Sequence, residues 1–578
     1  MRGRGRLAAT KVRDILLAAL ALVLTAGDDS SGGVSASSSA AADDTRPAPP
    51  LPGLFWFAPI LSGGGYCTEA NALLYGLHTL SPGSTNVPKP LVRATHHGDM
   101  VDVAYYRGLS KEYYDMLNQM MMRRYPPARD SVVVCHSEPG AWSPARYETS
   151  RCPPEGYTRR DALRVVGRTM FETDRLEPEH VKRCNNMHEV WVPTAWSADV
   201  FARWGVNPEK IRVVPEAVDV DFFDPELTRR TKSPLDIVAV GQRVLGPPVV
   251  EDGEEEGEEE GQGKEEAGKA DDEADNTLGS AAEDEISEPD TGSSGARRRR
   301  MGVTKLLSIF KWEARKAPEI LLDAYLSEFT AADDVALFVR CNLYHEERDM
   351  VGERIAQIAH DKFIAAAAAA AADDDNDNEE PLPWNAPRGM SAEEALRTLA
   401  PRVFVLPQVP DQHMPSLYAA ADALVLPSRG EGWGRPHVEA MSMGLPIIAT
   451  NWSGPTEFMT AENAYPLSVE PKLVKLPSDH VFKNHYWAQP SVLHLRGLMR
   501  RVVTEPEEAA AKGAAARQTM VERFSPRAVA TLVVRELERI AREVHAADAA
   551  AAEGKEKKNE KEKKSGQGGK DDEAKDEL

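Results

Sequence analysis

Glu431 and Glu439, with seven residues between them, frame the segment Gly432-Trp433-Gly434, and a third glycine, Gly430, precedes the first acid. Glycines at this density cost backbone entropy and mark a loop that a ligand approaches closely. A carboxylate in such a loop can accept hydrogen bonds from hydroxyl groups. One near the start of the following helix can hold ribose hydroxyls, as acids do in Rossmann-type sites. Acids are favoured near helix N-termini in any case, which accounts for Glu439 but not for three loop glycines. Lys311, Arg315 and Lys316 add a cationic cluster in a second loop between strand and helix. Basic groups there are placed to neutralise a diphosphate, with a solvated positive loop as the ordinary alternative.

The elements that must position these groups are legible around them. Residues 423–426 are an apolar run that reads as a buried strand, Pro436 opens a short helix, Gly444 closes it, and 446–450 reads as the next strand. This β-loop-α-β unit puts the glycine loop at the carboxyl end of a strand, where open parallel sheets bind ligands. Strands are expected at 306–310, 335–340 and 402–406, and helices at 319–329, 412–420, 487–504 and 507–524. The N-terminal half shows the same alternation. A strand at 54–60 leads through Ser62-Gly63-Gly64-Gly65 into a helix at 68–78, and a strand at 131–135 ends in His136-Ser137-Glu138. Strands at 189–193 and 211–215 flank a helix at 194–204. Several units on either side of residue 224 predict an α/β protein of two facing Rossmann-like domains.

The Glu-x7-Glu spacing, the Gly-Trp-Gly between the acids and the later Ser453-Gly454-Pro455-Thr456-Glu457 resemble the donor site of glycosyltransferase family 4. That family comprises retaining enzymes of the GT-B fold that use nucleotide sugars. The resemblance implies an acceptor-side domain at 51–224, a donor-binding domain at 225–545, and a C-terminal helix returning to the first domain. Trp487, Leu493 and Met499 are candidates for that return contact, against ordinary core packing. In the site, Lys316 matches the family's phosphate-binding lysine. The family's arginine is not at its usual place, so Lys311 or Arg315 supplies the second cation, and Ala317 stands where glycine is usual. Glu431, Gly432, Trp433 and Gly434, with Ser453 and Gly454, are expected to position the donor, and Glu439 to bind its ribose. His136 is expected to reach a donor-sugar hydroxyl from the opposite wall, with Ser137 able to occupy the same place. Gly64 and Gly65 are expected to help hold the acceptor or the diphosphate. The resemblance further implies same-face attack with retention, without a cofactor or a bound divalent ion. Phe171-Glu172-Thr173-Asp174 reads equally as an acidic cluster at the cleft and as a solvated turn or helix cap.

Composition bounds the rest. A hydrophobic content of 42% is enough for real cores, and a net charge of -22 argues against general nucleic-acid binding. Five scattered cysteines are too few for a disulfide scaffold, the lack of a Cys-x-x-Cys pair argues against a zinc or redox site, and at most two bridges can form. Residues 1–27 run from basic to apolar to small residues and read as a signal peptide. The ten apolar residues at 15–24 fall short of the roughly 20 that span a bilayer. Lys575-Asp576-Glu577-Leu578 is the ER-retrieval address, so an ER-lumenal protein and a retrieval-receptor partner are expected. Disorder is expected in the spacer 28–50, the acidic insertions 246–300 and 365–385, and the tail 546–578, although the alanines from 365 can extend the preceding helix. The sequon Asn451-Trp452-Ser453 falls in the expected donor site and is expected to stay unmodified. The expected function is transfer of a sugar from a nucleotide sugar to a protein, glycan or lipid acceptor, a UDP-sugar being favoured by compartment. The competing expectation is an inactive GT-B sugar-binding ER protein whose acidic segments buffer calcium weakly.

Overall fold

The computed structural model describes residues 49–80, 88–231, 235–249, 302–342, 349–372 and 382–573. The expected signal peptide, almost all of the spacer, the acidic run at 250–301 and the retrieval address lie outside the described residues.

Two parallel sheets carry the fold. The first contains β1 (Gly53–Ala58), β2 (Val92–His96), β3 (Ser131–His136), β4 (Arg164–Arg168), β5 (Glu189–Val192) and β6 (Ile211–Val213), in the order β2-β1-β3-β4-β5-β6. Every pairing in it is parallel. Both faces are covered, which explains the near-continuous apolar strands. In β1, Leu54, Trp56 and Ala58 enter one core while Phe55 and Phe57 enter the other, following the two-residue period of a strand. The second sheet contains β7 (Gln242–Leu245), β8 (Thr304–Lys311), β9 (Val335–Asn342), β10 (Arg402–Val405), β11 (Ala423–Leu426), β12 (Ile447–Thr450) and β13 (Tyr465–Leu467), ordered β13-β12-β11-β8-β9-β10-β7. Only β7 runs antiparallel to its neighbour. A small hairpin, β14 (Val474–Lys475) and β15 (Tyr486–Trp487), stands apart from both sheets.

Three helices matter most for the site. α1 (Gly65–Thr79) follows the glycine loop after β1, α2 (Arg435–Ser442) follows the loop after β11, and α3 (Pro526–Glu573) ends the described chain. α3 is the helix that returns to the first domain. Its Val529, Val533 and Leu537 share a core with Leu73, Leu74 and Leu77 of α1. The approach is close at Gly76, where a Cβ would lie 2.1 Å from the Pro526 carbonyl oxygen.

Several expectations need correction. Leu493 is 76% exposed, while Met499 joins the second domain's core and Trp487 is in β15 rather than a helix. None of the three makes the return contact, because the helix Val492–Thr504 packs its apolar stripe on the second sheet instead. The tail expected to be disordered from 546 is helical to Glu573, whereas the alanine run extends the helix Asp349–Ala372 as the alternative reading had it, and 373–381 lie outside the described residues. Alanine, lysine and glutamate are strong helix formers, and α3 enters the tail already nucleated by its packed first turns. Strands β2, β4, β7 and β13 were not distinguished in the sequence: β13 has three residues, Arg93 and Arg243 interrupt β2 and β7, and Arg164 and Arg168 bracket β4. No helix among the described residues is long and apolar enough to cross a membrane.

Candidate functional site

Neighbouring strands deliver the site. β12, β11 and β8 lie side by side, so the loops leaving their carboxyl ends meet even though residues 316 and 431 are far apart in sequence. The Glu431 loop is fixed by its neighbour. The Glu431 N–H donates to Ser453 Oγ at 2.9 Å, and the Gly454 N–H donates to the Glu431 carbonyl at 2.9 Å. A Cβ at Gly454 would lie 2.6 Å from the Trp433 carbonyl oxygen, so glycine is required for that approach.

The Glu431 side chain is buried and accepts from Lys316 Nζ at 2.6 and 2.8 Å and from Arg315 Nη1 at 2.8 Å. Burial alone would raise its pKa, but Lys316 and Arg315 more than offset that and hold the carboxyl well below the usual range. Arg315 also donates to the Gly430 carbonyl at 2.8 Å and pairs with Glu313 at 2.9 Å and Glu172 at 3.2 Å. The cation pair is therefore Arg315 with Lys316. Lys311 stands exposed at the end of β8, and Arg315 is the partner that Lys316 meets on Glu431. Ala317 adopts a left-handed conformation, φ 51° and ψ 50°, between the Arg315–Lys316 turn and the helix Pro318–Glu328. A glycine would adopt it at lower cost, by about 1 kcal/mol.

Glu439 lies one turn inside α2, not in its opening residues. Tyr418 Oη donates to it at 2.9 Å and Arg435 Nη2 at 3.3 Å. Burial raises its carboxyl pKa, partly opposed by Arg435 and Tyr418. His437, on the same helix, is buried, and burial pulls its pKa down to about 4, leaving a neutral imidazole beside the Glu431 and Lys316 charges. Trp433 does not face a ligand. It is 2% exposed and its ring packs against Phe458 and Phe524, with centroids 5.1 and 5.4 Å away. The bend of the loop at Gly432 and Gly434 turns Glu431 toward the cations and the indole into the core.

The first sheet presents a different picture from the one expected. His136 is fully buried; Trp56 Nε1 donates to its Nδ1 at 3.2 Å and its Nε2 meets Glu69 Oε2 at 2.9 Å. Burial lowers its pKa, with the Glu69 carboxylate opposing. Ser137 is buried too and accepts from Trp142 Nε1 at 3.1 Å. Neither of the alternatives for a sugar contact faces the cleft. Glu69, in α1, also binds Arg168 at 2.5 Å, and Arg168 reaches the Val214 and Pro215 carbonyls at 2.8 and 3.1 Å. Beyond them Glu216 is buried, and burial with the nearby Glu69 charge raises its carboxyl well above the ordinary value. Sequence reading missed Glu69, Arg168 and Glu216. Glu69's position in the first turns after a glycine loop was the only available signal. Gly64 caps α1 and Gly65 opens it, with no atom within 4 Å of a Cβ built on Gly65.

The two domains meet over the glycine loop. A Cβ on Gly430 would lie 2.3 Å from the Glu172 carbonyl oxygen, and one on Gly432 would lie 2.3 Å from Met170 Sδ. Tyr66 of α1 contacts this wall through Thr169 Oγ1 at 3.1 Å. The segment after Glu172 is clasped by the β14–β15 hairpin. The Asp174 N–H donates to the Tyr486 carbonyl at 3.2 Å, and the Tyr486 N–H donates to Asp174 Oδ1 at 2.8 Å. Thr173 Oγ1 meets His485 Nδ1 at 2.7 Å, and Arg175 stacks over the Tyr486 ring at 4.8 Å. The acidic cluster at 171–174 is thus an interdomain contact rather than a solvated turn. A disulfide joins Cys135 to Cys152, while Cys67, Cys184 and Cys341 are buried thiols. Among the described residues no group of three or more His, Cys, Asp or Glu is placed to hold a metal ion.

Residues 362–475 match the family model of Glycosyl transferases group 1. The chain is 54% identical over 43 residues to O-antigen chain mannosyltransferase B of Escherichia coli, a match spanning 7% of this chain and 11% of that relative. Similar solved structures include Anabaena Alr3699/HepE in complex with UDP, at 12% identity and TM-score 0.45, covering 84% of this chain and all of that one. Sucrose-phosphate synthase from Thermosynechococcus elongatus also aligns at 12% identity and TM-score 0.45, covering 86% of this chain and all of that one. The two parallel sheets and the returning helix are consistent with two Rossmann-like domains of the GT-B kind.

Proposed function

We propose that the protein is a retaining glycosyltransferase of the family 4 type. It would move a sugar from a nucleotide-sugar donor to a protein, glycan or lipid acceptor in the ER lumen. The observation that carries this reading is the Arg315–Lys316 cation pair locked on Glu431 at the carboxyl ends of β8 and β11, with Glu439 one turn into the next helix. The cations hold the donor diphosphate and stabilise the negative charge that grows on it as the glycosidic bond breaks. Preorganised charge of this kind is worth about 10²–10³ in rate per group. Glu431, kept ionised, accepts hydrogen bonds from donor-sugar hydroxyls, and Glu439 accepts them from the ribose. The acceptor attacks on the face the diphosphate leaves, so the anomeric configuration is kept. No bound divalent ion is assigned, because Arg315 and Lys316 supply the positive charge.

The lumenal assignment draws on the two terminal signals, and the Cys135–Cys152 bridge fits an oxidising compartment. Compartment is also the reason a UDP-sugar is favoured, while the mannosyltransferase relative makes a mannose donor a necessary member of any panel. The test is turnover of UDP- and GDP-sugars with microsomal acceptors, with and without EDTA, and with the product anomer read by NMR. Transfer with retention that survives EDTA is expected. No transfer from any donor would defeat the reading, and an inverted product would defeat the retaining assignment.

A further inference from the structure

We propose that Glu172, supplied by the first domain, occupies the place on Arg315 that a donor diphosphate takes, so that nucleotide binding displaces its carboxylate. The inference rests on the reading of Arg315 and Lys316 as the diphosphate site.

Three carboxylates surround Arg315: Glu431, Glu313 and Glu172, at 2.8, 2.9 and 3.2 Å. With Lys316 the cluster holds two cations against three acids. A diphosphate would add at least two more negative charges to a cluster already net negative. Like charges at this range destabilise one another, so an acid must withdraw. Glu431 is held on both cations and its loop is pinned by Ser453, and its side chain is 8% exposed. Glu313 belongs to the same short loop as Arg315 and is 32% exposed. Glu172 has the longest contact, is 44% exposed, and comes from the first domain's loop after β4. It loses least by leaving, because water is already at hand to solvate its carboxylate.

The surrounding contacts confine the movement to that side chain. Thr173, Asp174 and Arg175 are clasped to His485 and Tyr486 of the hairpin, and the Glu172 carbonyl is seated against Gly430. The backbone therefore stays while the carboxylate swings to solvent. Glu172 is a positioning residue in this scheme, acting on the donor through Arg315.

The test is calorimetric titration of the full chain with UDP and, separately, with inorganic pyrophosphate, which carries the diphosphate without a base. Glu172→Gln is expected to bind both about three- to fivefold more tightly than wild type, the size of one half-exposed ion pair. The gain should shrink at about 0.5 M salt, where such pairs are screened. Structural damage would weaken binding, so tightening separates the two explanations. Glu172→Asp, too short to reach Arg315, should show the same gain if the glutamine variant fails to fold. Lys316→Ala is expected to bind at least tenfold more weakly. Unchanged or weaker binding in the Glu172 variants, with Lys316→Ala still impaired, would overturn the displacement and leave the diphosphate site standing. Wild-type binding in Lys316→Ala would overturn the site reading and this inference with it.

Discussion

Lys316 Nζ lies 2.6 and 2.8 Å from the two carboxylate oxygens of Glu431, a residue 115 positions away in the chain. The contact joins the loop after β8 to the loop after β11 and sets the charge of the proposed donor site.

Replacing Lys316 with alanine removes the cation that contacts both oxygens of a buried carboxylate. We expect kcat/KM for the nucleotide sugar to fall by about 10²–10³, with native secondary structure retained because Arg315 still pairs with Glu431. Steady-state kinetics and circular dichroism check this. A rate near wild type would remove Lys316 from the mechanism.

Glu439→Ala should act mainly on donor binding, raising KM and losing most turnover at fixed donor. Tyr418→Phe removes one hydrogen bond to the same carboxylate, worth roughly 1.5–3 kcal/mol to a charged acceptor, and should produce a smaller rise in KM. Competition by free nucleotide measures both. A larger defect in Tyr418→Phe than in Glu439→Ala would speak against ribose binding by Glu439.

The loop glycines should not respond alike to alanine. At Gly432 the new methyl meets the flexible Met170 thioether, whereas at Gly430 it meets the Glu172 backbone carbonyl. Gly432→Ala should fold and keep part of its activity. Gly430→Ala should force the domains apart and lose far more, at about 1–3 kcal/mol of overpacking. Thermal unfolding and donor turnover of the two variants give the order, and equal effects would contradict the close approach at Gly430.

Acid should weaken the fold before it protonates Glu431, whose carboxyl Lys316 and Arg315 hold well below the usual range. His97 and His437 are buried, and burial holds each at about 4 against an ordinary 6.5. Their folded pKa is depressed, so between pH 6.5 and 4 the unfolded chain binds protons the folded chain does not. Stability is full above pH 6.5 and falls as pH drops toward 4, by on the order of 1–3 kcal/mol for each histidine. Urea melts at pH 7.5 and pH 5 should show the loss, and His437→Gln should flatten it. A pH-independent midpoint would show that these imidazoles are not held neutral.

Much of the second domain was legible because its signals are local. An apolar run, three glycines, Pro436 and Gly444 place β11, the loop and α2 almost to the residue. The first domain's polar chemistry was less legible. His136 ends a strand where a cleft residue is expected, yet its environment is set by Glu69 and Arg168, from a helix and from a strand whose bracketing arginines mask it. Trp433 lies between two site residues in sequence, and only the turn of the loop shows that it packs inward.

The sequence by itself determined the α/β alternation, the glycine loop, the two acids at fixed spacing and the cationic loop, because periodicity and turn chemistry act over a few residues. Tertiary structure alone decided that Arg315 rather than Lys311 joins Lys316, since strand order β11-β8 sets which side chains meet. It also decided that Glu172 crosses to Arg315 and that α3 is the helix that returns. Those relationships depend on long-range packing and on which charges remain exposed to water, and neither is written in local spacing.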